Sequence, residues 1–559
     1  MSIEVRRTQQ GSFLLLRRLR RPMIVLILVY AVAVIGFTLV PGVDPEGRPW
    51  RMSFLHAFYF VSYLGTSIGL GEIPYPFSDA QRLWATASIY ATVIAWLYNI
   101  TGMLATLRDP LFQRIRLENR FASAVQRIRE PFVVLCGYDN AGRLVARELT
   151  EEGIGVVVVD NDAERVESVE IDRLALPVPA LQANAVVPAT LLSAGITHPR
   201  CIATLALTGS DTTNLTVSLN AKILAPERPV ICVAHHHEHQ AAMARVGAEH
   251  LINPHDTFAD RLAQSILKPC LHVIYESLTT QNITPMAAAP AFPRGRWMIV
   301  GYGRFGRTVR HHLGQIGIES VVVDESAIPD DGTEHVRGSV IDSANLRKAG
   351  IATVVGIVIC TAKDTTNLAV AMLARELNAE LFRVVRLSNR RNTPLFRTLD
   401  ADIITLSGYI VAAEVLRIIR TPRLSQFLRV ARHQDEKWTS RLLERMRARI
   451  GDEIAATWSI TLDEESAPAL TAAVARGQCV TVGDLMRAPD NRDLALDAVP
   501  LLLERGAAKA QILLPEEGEE LQRGDQLLLC GREITRGRLR WMLSDPRVLR
   551  YVLGAESPA

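Results

Sequence analysis

The sequence predicts an α-helical membrane module, two spans with a re-entrant helix between them, joined to two α/β domains with doubly wound parallel sheets. Two observations predict this. Uncharged apolar runs lie at 22–41 and 83–107. A strand, a glycine-rich turn, a helix, a second strand and a terminal aspartate occur in that order twice, at 132–162 and 296–326.

With 559 residues the chain has room for roughly three or four domains. A net charge of +3 gives it no polyelectrolyte character, and no nucleic-acid partner is expected. Hydropathy over the whole chain is globular, so the apolar N-terminus is a small module on a large soluble body. Seven cysteines are scattered without a CxxC pair, which points to reduced thiols in a cytosolic compartment. Cys136 and Cys360 fall in strand-like runs and read as buried packing.

The first run, "PMIVLILVYAVAVIGFTLVP", is long enough to cross the hydrocarbon core, which takes about 20 apolar residues. It is too long for the apolar region of a cleaved signal peptide, and no small-x-small site follows. Arginines 6, 7, 17, 18, 20 and 21 precede it; arginines 108, 114, 116 and 120 follow the second run. Both flanks are therefore expected on the cytoplasmic side of a cell (inner) membrane, with both termini cytoplasmic. Between the runs, 54–64 is apolar but too short to span. It suits a helix that enters the membrane halfway and returns as extended backbone.

That return is Thr66-Ser67-Ile68-Gly69-Leu70-Gly71-Glu72. It resembles the potassium-channel selectivity filter, whose core is T-V-G-Y-G followed by an acid. The resemblance implies that backbone carbonyls aimed at an axis replace the water shell of K+. Ser67 stands at the filter threonine, Leu70 at the usual tyrosine and Glu72 at the usual aspartate, so a non-selective cation channel of the same build is the alternative. One chain supplies one loop and a ring needs several; the resemblance implies a fourfold assembly, a homotetramer embedded in lipid. Gly102, in the second span, reads as a hinge or as a packing residue.

The two later units each read as βαβ dinucleotide-binding units of the Rossmann type. Gly137 to Asp160 and Gly301 to Asp324 have the same offset. The repeat continues: "TGSDTTNL" (208–215) and "TAKDTTNL" (361–368) share six of eight residues, and a further strand follows each. Asp211 and Asp364 read as helix caps.

These halves resemble RCK domains, the regulators of potassium conductance related to TrkA nucleotide-binding subunits. The resemblance covers most of 132–430. It extends to "LPEEGEELQRGDQLLLCG" (514–531), similar to the strand-rich C-terminal RCK subdomain, an α+β module. It implies eight such domains in a ring beneath a tetrameric pore, and a helix-turn-helix locking neighbouring domains, placed near 268–278. The resulting division is 1–21, a cytoplasmic N-terminus; 22–107, the pore domain; 108–131, a linker; 132–290 and 291–430, two RCK domains; and 431–559, the C-terminal subdomain.

In the second repeat, Gly301, Gly303 and Gly306 form a full GxGxxG with Arg304 and Phe305 inside it. Asp324 suits ribose hydroxyls, and Arg386 matches an arginine that meets ligand phosphate in the family. NAD or another adenine nucleotide is the expected ligand; ADP, ATP and a cyclic dinucleotide stay open. In the first repeat Gly137 and Gly142 remain, but Asp139 replaces the middle glycine and Val233 stands opposite Arg386. That pocket reads as degraded for dinucleotides. Asp139 and Asp160 would instead favour a cation, so calcium or another divalent ion is a second ligand class. "HHHEH" (235–239) offers His235 and His239 as metal ligands on one helical face.

No HExxH, GxSxG or GxxxxGK[ST] motif is present, and the chain is not read as an enzyme. A membrane-anchored NAD-dependent oxidoreductase is the rival reading, and an anchored regulatory subunit a third; both leave 64–77 unexplained.

Overall fold

The computed structural model describes residues 2–66, 68, 71–279, 292–326, 332, 334–399, 401–451, 455–506 and 510–554. They form two compact units, one of Met1–Ile128 with Ser193–Gly195, the other of Arg129–Leu192 with Ile196–Ala559.

The N-terminal unit is helical. Helix α1 (Ser2–Leu39) leads through a minimal antiparallel pair, β1 (Gly42–Val43) and β2 (Pro49–Trp50), to α2 (Phe54–Gly65), α3 (Asp79–Leu107) and α4 (Pro110–Val125). Arg20–Leu39 and Asp79–Ala105 are long and apolar enough to cross a membrane. They expose large side chains that water would not favour, such as Leu83 at 75% and Tyr90 at 68%. Helix α2 is the short apolar helix expected between them, capped by Ser53, whose hydroxyl accepts from the His56 amide. Its buried face, Ala57, Phe60, Val61 and Tyr63, packs with Ala33, Val34 and Phe37 of α1 and with Phe77.

Glycines set the close approaches here. A Cβ on Gly36 would lie 2.1 Å from the Trp84 indole, and one on Gly65 2.0 Å from the Tyr30 hydroxyl. The indole of Trp84 donates to the Ala33 carbonyl (3.1 Å), and that of Trp96 to the Tyr30 hydroxyl (2.7 Å). Gly102 lies inside an unbroken α3, where an added Cβ would sit 3.0 Å from Pro22, so close helix packing is its visible role.

The C-terminal unit repeats one sheet. The first repeat runs β3 (Phe132–Cys136), α5 (Asn140–Glu151), β4 (Gly155–Asp160), α6 (Ala163–Ile171), β5 (Ala180–Gln182) and α7 (Pro188–Ser193). It continues with β6 (Cys201–Ala206), α8 (Asp211–Leu224), β7 (Val230–Val233), α9 (His237–Val246) and β8 (His250–Ile252), followed by α10 (Pro254–Leu267) and α11 (Pro269–Thr279). The second runs β9 (Trp297–Val300), α12 (Arg304–Gln315), β10 (Ser320–Asp324), β11 (His335–Arg337), α13 (Ser343–Lys348) and β12 (Gly356–Ile359). Then come α14 (Asp364–Leu377), β13 (Phe382–Leu387), α15 (Thr393–Arg397), β14 (Ile403–Leu406), α16 (Ser407–Arg420) and α17 (Pro422–Ala431).

Both sheets are wholly parallel, ordered β5-β4-β3-β6-β7-β8 and β11-β10-β9-β12-β13-β14. Strands such as "FVVLC" are buried along their whole length because helices cover both faces. The strand order reverses between β3 and β6, and between β9 and β12. In open α/β sheets that crevice is where ligands bind.

The helix that follows the last strand of each sheet belongs to the other repeat's core. Ala259, Leu262 and Ile266 of α10 pack with Phe305, Val309 and Leu313 of α12. Reciprocally, Val411, Ala412, Val415, Leu416 and Ile418 of α16 join Val145, Ala146 and Leu149 of α5. Gly408 lets α16 start against α5, for a Cβ there would lie 3.2 Å from Asn140. Where α10 and α16 approach, Glu414 is only 7% exposed and pairs with both Arg261 and Arg417. Burial raises its pKa, but the two guanidiniums outweigh burial and hold it below the usual carboxylate range.

The corner expected near 268–278 is the α10–α11 junction. The Lys268 ammonium donates to the Arg432 and Gln434 carbonyls, each at 2.7 Å, and ties the corner to the end of α17. The boundary at 290 and 291 lies outside the described residues.

The chain ends in α18 (Glu436–Ile450), β15 (Ala456–Thr461), α19 (Pro468–Ala475), α20 (Val482–Leu485), β16 (Ala498–Glu504), β17 (Gln511–Leu513), β18 (Gln526–Gly531), α21 (Glu533–Ser544) and α22 (Pro546–Val552). The strands form an antiparallel sheet ordered β15-β18-β16-β17. One face packs on α11, α17 and α18 through Leu271, Phe427, Leu442 and Leu501. The other packs on α19, α21 and α22 through Leu470, Leu503, Leu539 and Leu549.

Removing Glu414 would leave two guanidiniums facing each other in a buried site. Breaking such a pair costs about 3–5 kcal/mol. Glu414→Ala should therefore lower the thermal unfolding midpoint of the full-length protein by several degrees. An unchanged midpoint would show that the α10–α16 contact does not depend on this charge.

Candidate functional site

Of the filter residues, Thr66, Ile68, Gly71 and Glu72 are described; the calls on Ser67, Gly69 and Leu70 lie outside the described residues. The Thr66 hydroxyl donates back to the Ser62 (3.0 Å) and Tyr63 (3.2 Å) carbonyls, and the Ile68 amide donates to the Tyr63 carbonyl (3.1 Å). Gly71 has φ +88°, a conformation that favours glycine. Its carbonyl accepts the Tyr63 hydroxyl at 2.6 Å. That carbonyl thus has a partner within its own chain through one of its two lone pairs. Glu72 accepts from the Phe77 amide (2.8 Å) and from Arg82 Nε (2.9 Å), so the acid is anchored beside the start of α3.

In the second repeat the turn closes tightly. A Cβ on Gly301 (φ +99°) would meet the backbone of Thr361 at 2.9 Å, and one on Gly306 would lie 2.1 Å from the Gly301 carbonyl oxygen. Gly303 is different: nothing lies within 4 Å of its missing Cβ, and as N-cap of α12 it offers no side-chain bond to the helix amides. The first-turn amides of α12 lack a side-chain cap at the crevice, the arrangement that receives an anion. Asp324 accepts from the Tyr302 amide (2.6 Å) and the Ser326 amide (2.7 Å), which fixes strand end to turn. The Arg386 guanidinium lies 5.6 Å over the Phe305 ring, and its buried Nε has no protein acceptor. Nearby His255 is pushed down to about 4, first by burial and then by Arg386, so it is neutral at pH 7.

The first repeat has the same frame with the opening filled. Gly137 (φ +103°) and Gly142 make the same close approaches. Asp160 accepts from the Tyr138 amide (2.7 Å) and the Asp162 amide (2.9 Å). Asp139, however, is the N-cap of α5, and its carboxylate accepts from the Ala141 (2.9 Å) and Gly142 (3.2 Å) amides. The chain's own carboxylate thus satisfies the first-turn amides of α5.

A clip missed in the sequence ties two strand ends together in each repeat. Asn214 accepts from the Thr208 amide (3.0 Å) and donates to the Val233 carbonyl (2.9 Å). Asn367 accepts from the Thr361 amide (2.9 Å) and donates to the Arg386 carbonyl (2.9 Å). The repeated "TTN" carried that signal. The bonds also show that Val233 and Arg386 occupy equivalent positions.

The reading of Asp211 and Asp364 as caps is corrected. Ser210 and Lys363 are the N-cap residues, and each aspartate is the first helical residue. The aspartates reach forward instead. Asp364 accepts from the Ser388 (2.8 Å) and Asn389 (3.0 Å) amides and from Asn392 Nδ2 (2.8 Å). Asp211 accepts from the His235 and His236 amides, each at 3.0 Å. Burial would raise its pKa, but these amides and the two imidazoles bring it down to about 2.

The pairing of His235 with His239 on one helical face is corrected too. Helix α9 begins only at His237, so His235 precedes it. The ligand atoms that come together, within 4.8 Å of one another, belong to Asp211, His236 and His239. His312, on α12, meets Asp256 of α10 at 2.8 Å, a contact between repeats.

Comparison with known proteins agrees with this frame. The TrkA-N domain model matches residues 133–254 and 297–407. Potassium channel protein 1 of Methanocaldococcus jannaschii is 21% identical over 226 residues, 40% of this chain and 66% of that protein. An uncharacterized protein of Methanothermus fervidus is 24% identical over 229 residues, 40% of this chain and 34% of that one. The chain thus spans about a third of one curated relative and just under two thirds of the other. Among solved structures, the GsuK channel bound to NAD is 16% identical with a TM-score of 0.49, covering 96% of this chain and 100% of that one. GsuK bound to ADP is 18% identical with a TM-score of 0.44, covering 73% and 99%. After two helices of membrane-spanning length, the chain therefore carries two stretches in tandem that match the TrkA-N domain model.

Proposed function

We propose that the chain is a ligand-gated potassium channel of the cell membrane, a homotetramer whose pore is regulated by an adenine nucleotide bound to the second TrkA-N domain. Four chains supply the filter loops 66–72 and a cytoplasmic ring of eight domains, with both termini cytoplasmic. The nucleotide domains regulate rather than catalyse.

The observation that carries the reading is the difference between the two helix N-termini. At α12, Gly303 leaves the first amides without a side-chain cap, beside Arg386 with a buried donor that has no acceptor. At α5, Asp139 caps the amides itself. A helix N-terminus carries roughly half a positive charge, so the first attracts a phosphate and the second is already neutralised. In the second repeat, Asp324 faces the ribose end of the crevice. Its charge should favour a free 2′-hydroxyl over a 2′-phosphate, and so NAD over NADP. At the pore, Gly71 and its bond to Tyr63 hold the outer end of the filter loop.

Potassium flux from liposomes containing the purified chain, with NAD, ADP and ATP added to the cytoplasmic side, tests the whole. Nucleotide-dependent flux is expected; no flux under any condition would overturn the channel reading. Gly71→Ala, which forces a side chain into φ +88°, should abolish selective flux while the tetramer still assembles.

A cleaner variant exists for the nucleotide than removal of Asp324, which also pins the turn. Gly303→Asp meets no steric obstacle and copies the cap of the first repeat. It should fold with unchanged or slightly raised stability, since a cap is worth about 0.5–2 kcal/mol. Its affinity for ADP should fall at least tenfold in calorimetry. Wild-type affinity in that variant would remove the α12 N-terminus from the binding site.

A further inference from the structure

We propose that Asp211, His236 and His239 form a binding site for a divalent transition cation of the zinc class, set against the nucleotide turn of the second repeat. His236 Nδ1 lies 2.7 Å from Asp211 Oδ2, and His239 Nδ1 lies 3.9 Å from the same oxygen. A tetrahedral zinc with bonds of about 2.0–2.1 Å spaces its ligand atoms about 3.4 Å apart. Both separations are within an ångström of that value. Two imidazoles and one carboxylate, with a fourth position for water, suit zinc and its neighbours. Calcium and magnesium prefer a shell of oxygens. His235 Nδ1 sits on the other oxygen, Oδ1, at 3.0 Å, while the His235 and His236 amides each reach Oδ2 at 3.0 Å.

In the second repeat the equivalent loop is held without imidazoles. There the same aspartate, Asp364, holds the same loop with Ser388, Asn389 and Asn392 at the positions of His235, His236 and His239. Asn392 donates to Asp364 at 2.8 Å. Its counterpart His239 makes no such bond: Nδ1 is buried, lies beyond hydrogen-bond distance of Asp211, and has no partner. A cation between His239 and Asp211 supplies what that nitrogen lacks.

The site reaches the other repeat through one ring. His236 Nε2 lies 3.2 Å from Arg304 Nη1, in the turn at the start of α12. Arginine only donates, so Nε2 accepts and the ring proton sits on Nδ1, toward Asp211. A metal on Nδ1 displaces that proton. The neutral, metal-bound ring then carries its hydrogen on Nε2, where it can no longer accept from Arg304. Arg304 is released toward the crevice, and metal should strengthen phosphate binding there. By linkage, nucleotide should strengthen metal binding equally. This coupling rests on the nucleotide reading above; the metal site does not.

The test uses tag-free, metal-stripped, full-length protein in detergent. Zn²⁺ is titrated against a chromophoric chelator, and Co²⁺ is followed by its visible absorption. One tight zinc per chain is expected, not displaced by excess Ca²⁺ or Mg²⁺, with the strong absorption of tetrahedral cobalt. His239→Asn installs the residue of the second repeat and should keep assembly and thermal stability while losing at least tenfold in zinc affinity. His236→Gln, the second variant, should lose the site as well. No zinc binding by the wild type, or undiminished binding by both variants, overturns the site. ADP calorimetry with and without zinc then reads the coupling: severalfold tighter ADP in the zinc-loaded protein supports it, and equal affinities overturn it. Absence of ADP binding in either state overturns the nucleotide reading and the coupling with it, while the zinc titration still decides the metal site.

Discussion

The C-terminal unit depends on an exchange of helices. Neither repeat closes its own core: α10 leaves the first sheet to cover α12, and α16 leaves the second to cover α5. Burying a large aliphatic side chain is worth about 1.5–3 kcal/mol, and each exchanged helix buries several. The two repeats are therefore held as one body by apolar contact, with the Arg261–Glu414–Arg417 group fixing the meeting point. The helices so covered, α5 and α12, are those whose N-termini form the two glycine turns. Each turn therefore opens a helix that is packed on the other repeat.

On this shared frame the repeats have diverged in how they satisfy the same polar groups. Each helix after a glycine turn has first-turn amides that need an acceptor. In the first repeat the chain provides it with Asp139; in the second, Gly303 provides none. Each later aspartate needs partners for its carboxylate. Asp364 gets a side-chain amide from Asn392, while Asp211 gets imidazoles. The first repeat is thus complete at its phosphate position and incomplete at His239. The second is the reverse. The ligand chemistry proposed for each follows from which group has no hydrogen-bond partner in the chain.

What the sequence made legible was local. Apolar runs, the glycine spacing and the acid at a fixed offset all act within about thirty residues, and the sheets have the order those signals imply. The exchange was not legible, because the amphipathic pattern of α10 or α16 says which face is buried but not against which helix. Residues 431–513 resisted for a related reason: α19, "PALTAAVA", is apolar nearly all round, and α20 is a single turn held by the Thr481–Asp484 capping box. The errors at the sites were errors of register. Asp211 and Asp364 lie one residue inside their helices, and α9 starts two residues after His235. A shift that small redirects a side chain from the amides of its own helix to a neighbouring loop, and no propensity argument resolves it.

The N-terminal unit follows a different rule. Lipid tails are as apolar as leucine, so helices in a membrane gain little from hiding apolar surface from each other; shape and hydrogen bonds must hold them. Both are visible here. Gly36 and Gly65 admit the Trp84 indole and the Tyr30 hydroxyl at distances a side chain would forbid, and Gly102 admits Pro22. The indoles of Trp84 and Trp96 then donate to Ala33 and Tyr30. Tyr63 extends the pattern to the loop, with one face in the apolar cluster of α1 and α2 and its hydroxyl on the Gly71 carbonyl. The segment after α2 is thus tied at Gly71 by a side chain whose position the helix packing sets. Gly102, read from the sequence as a hinge or as a packing residue, is in that setting one of the close contacts between the helices.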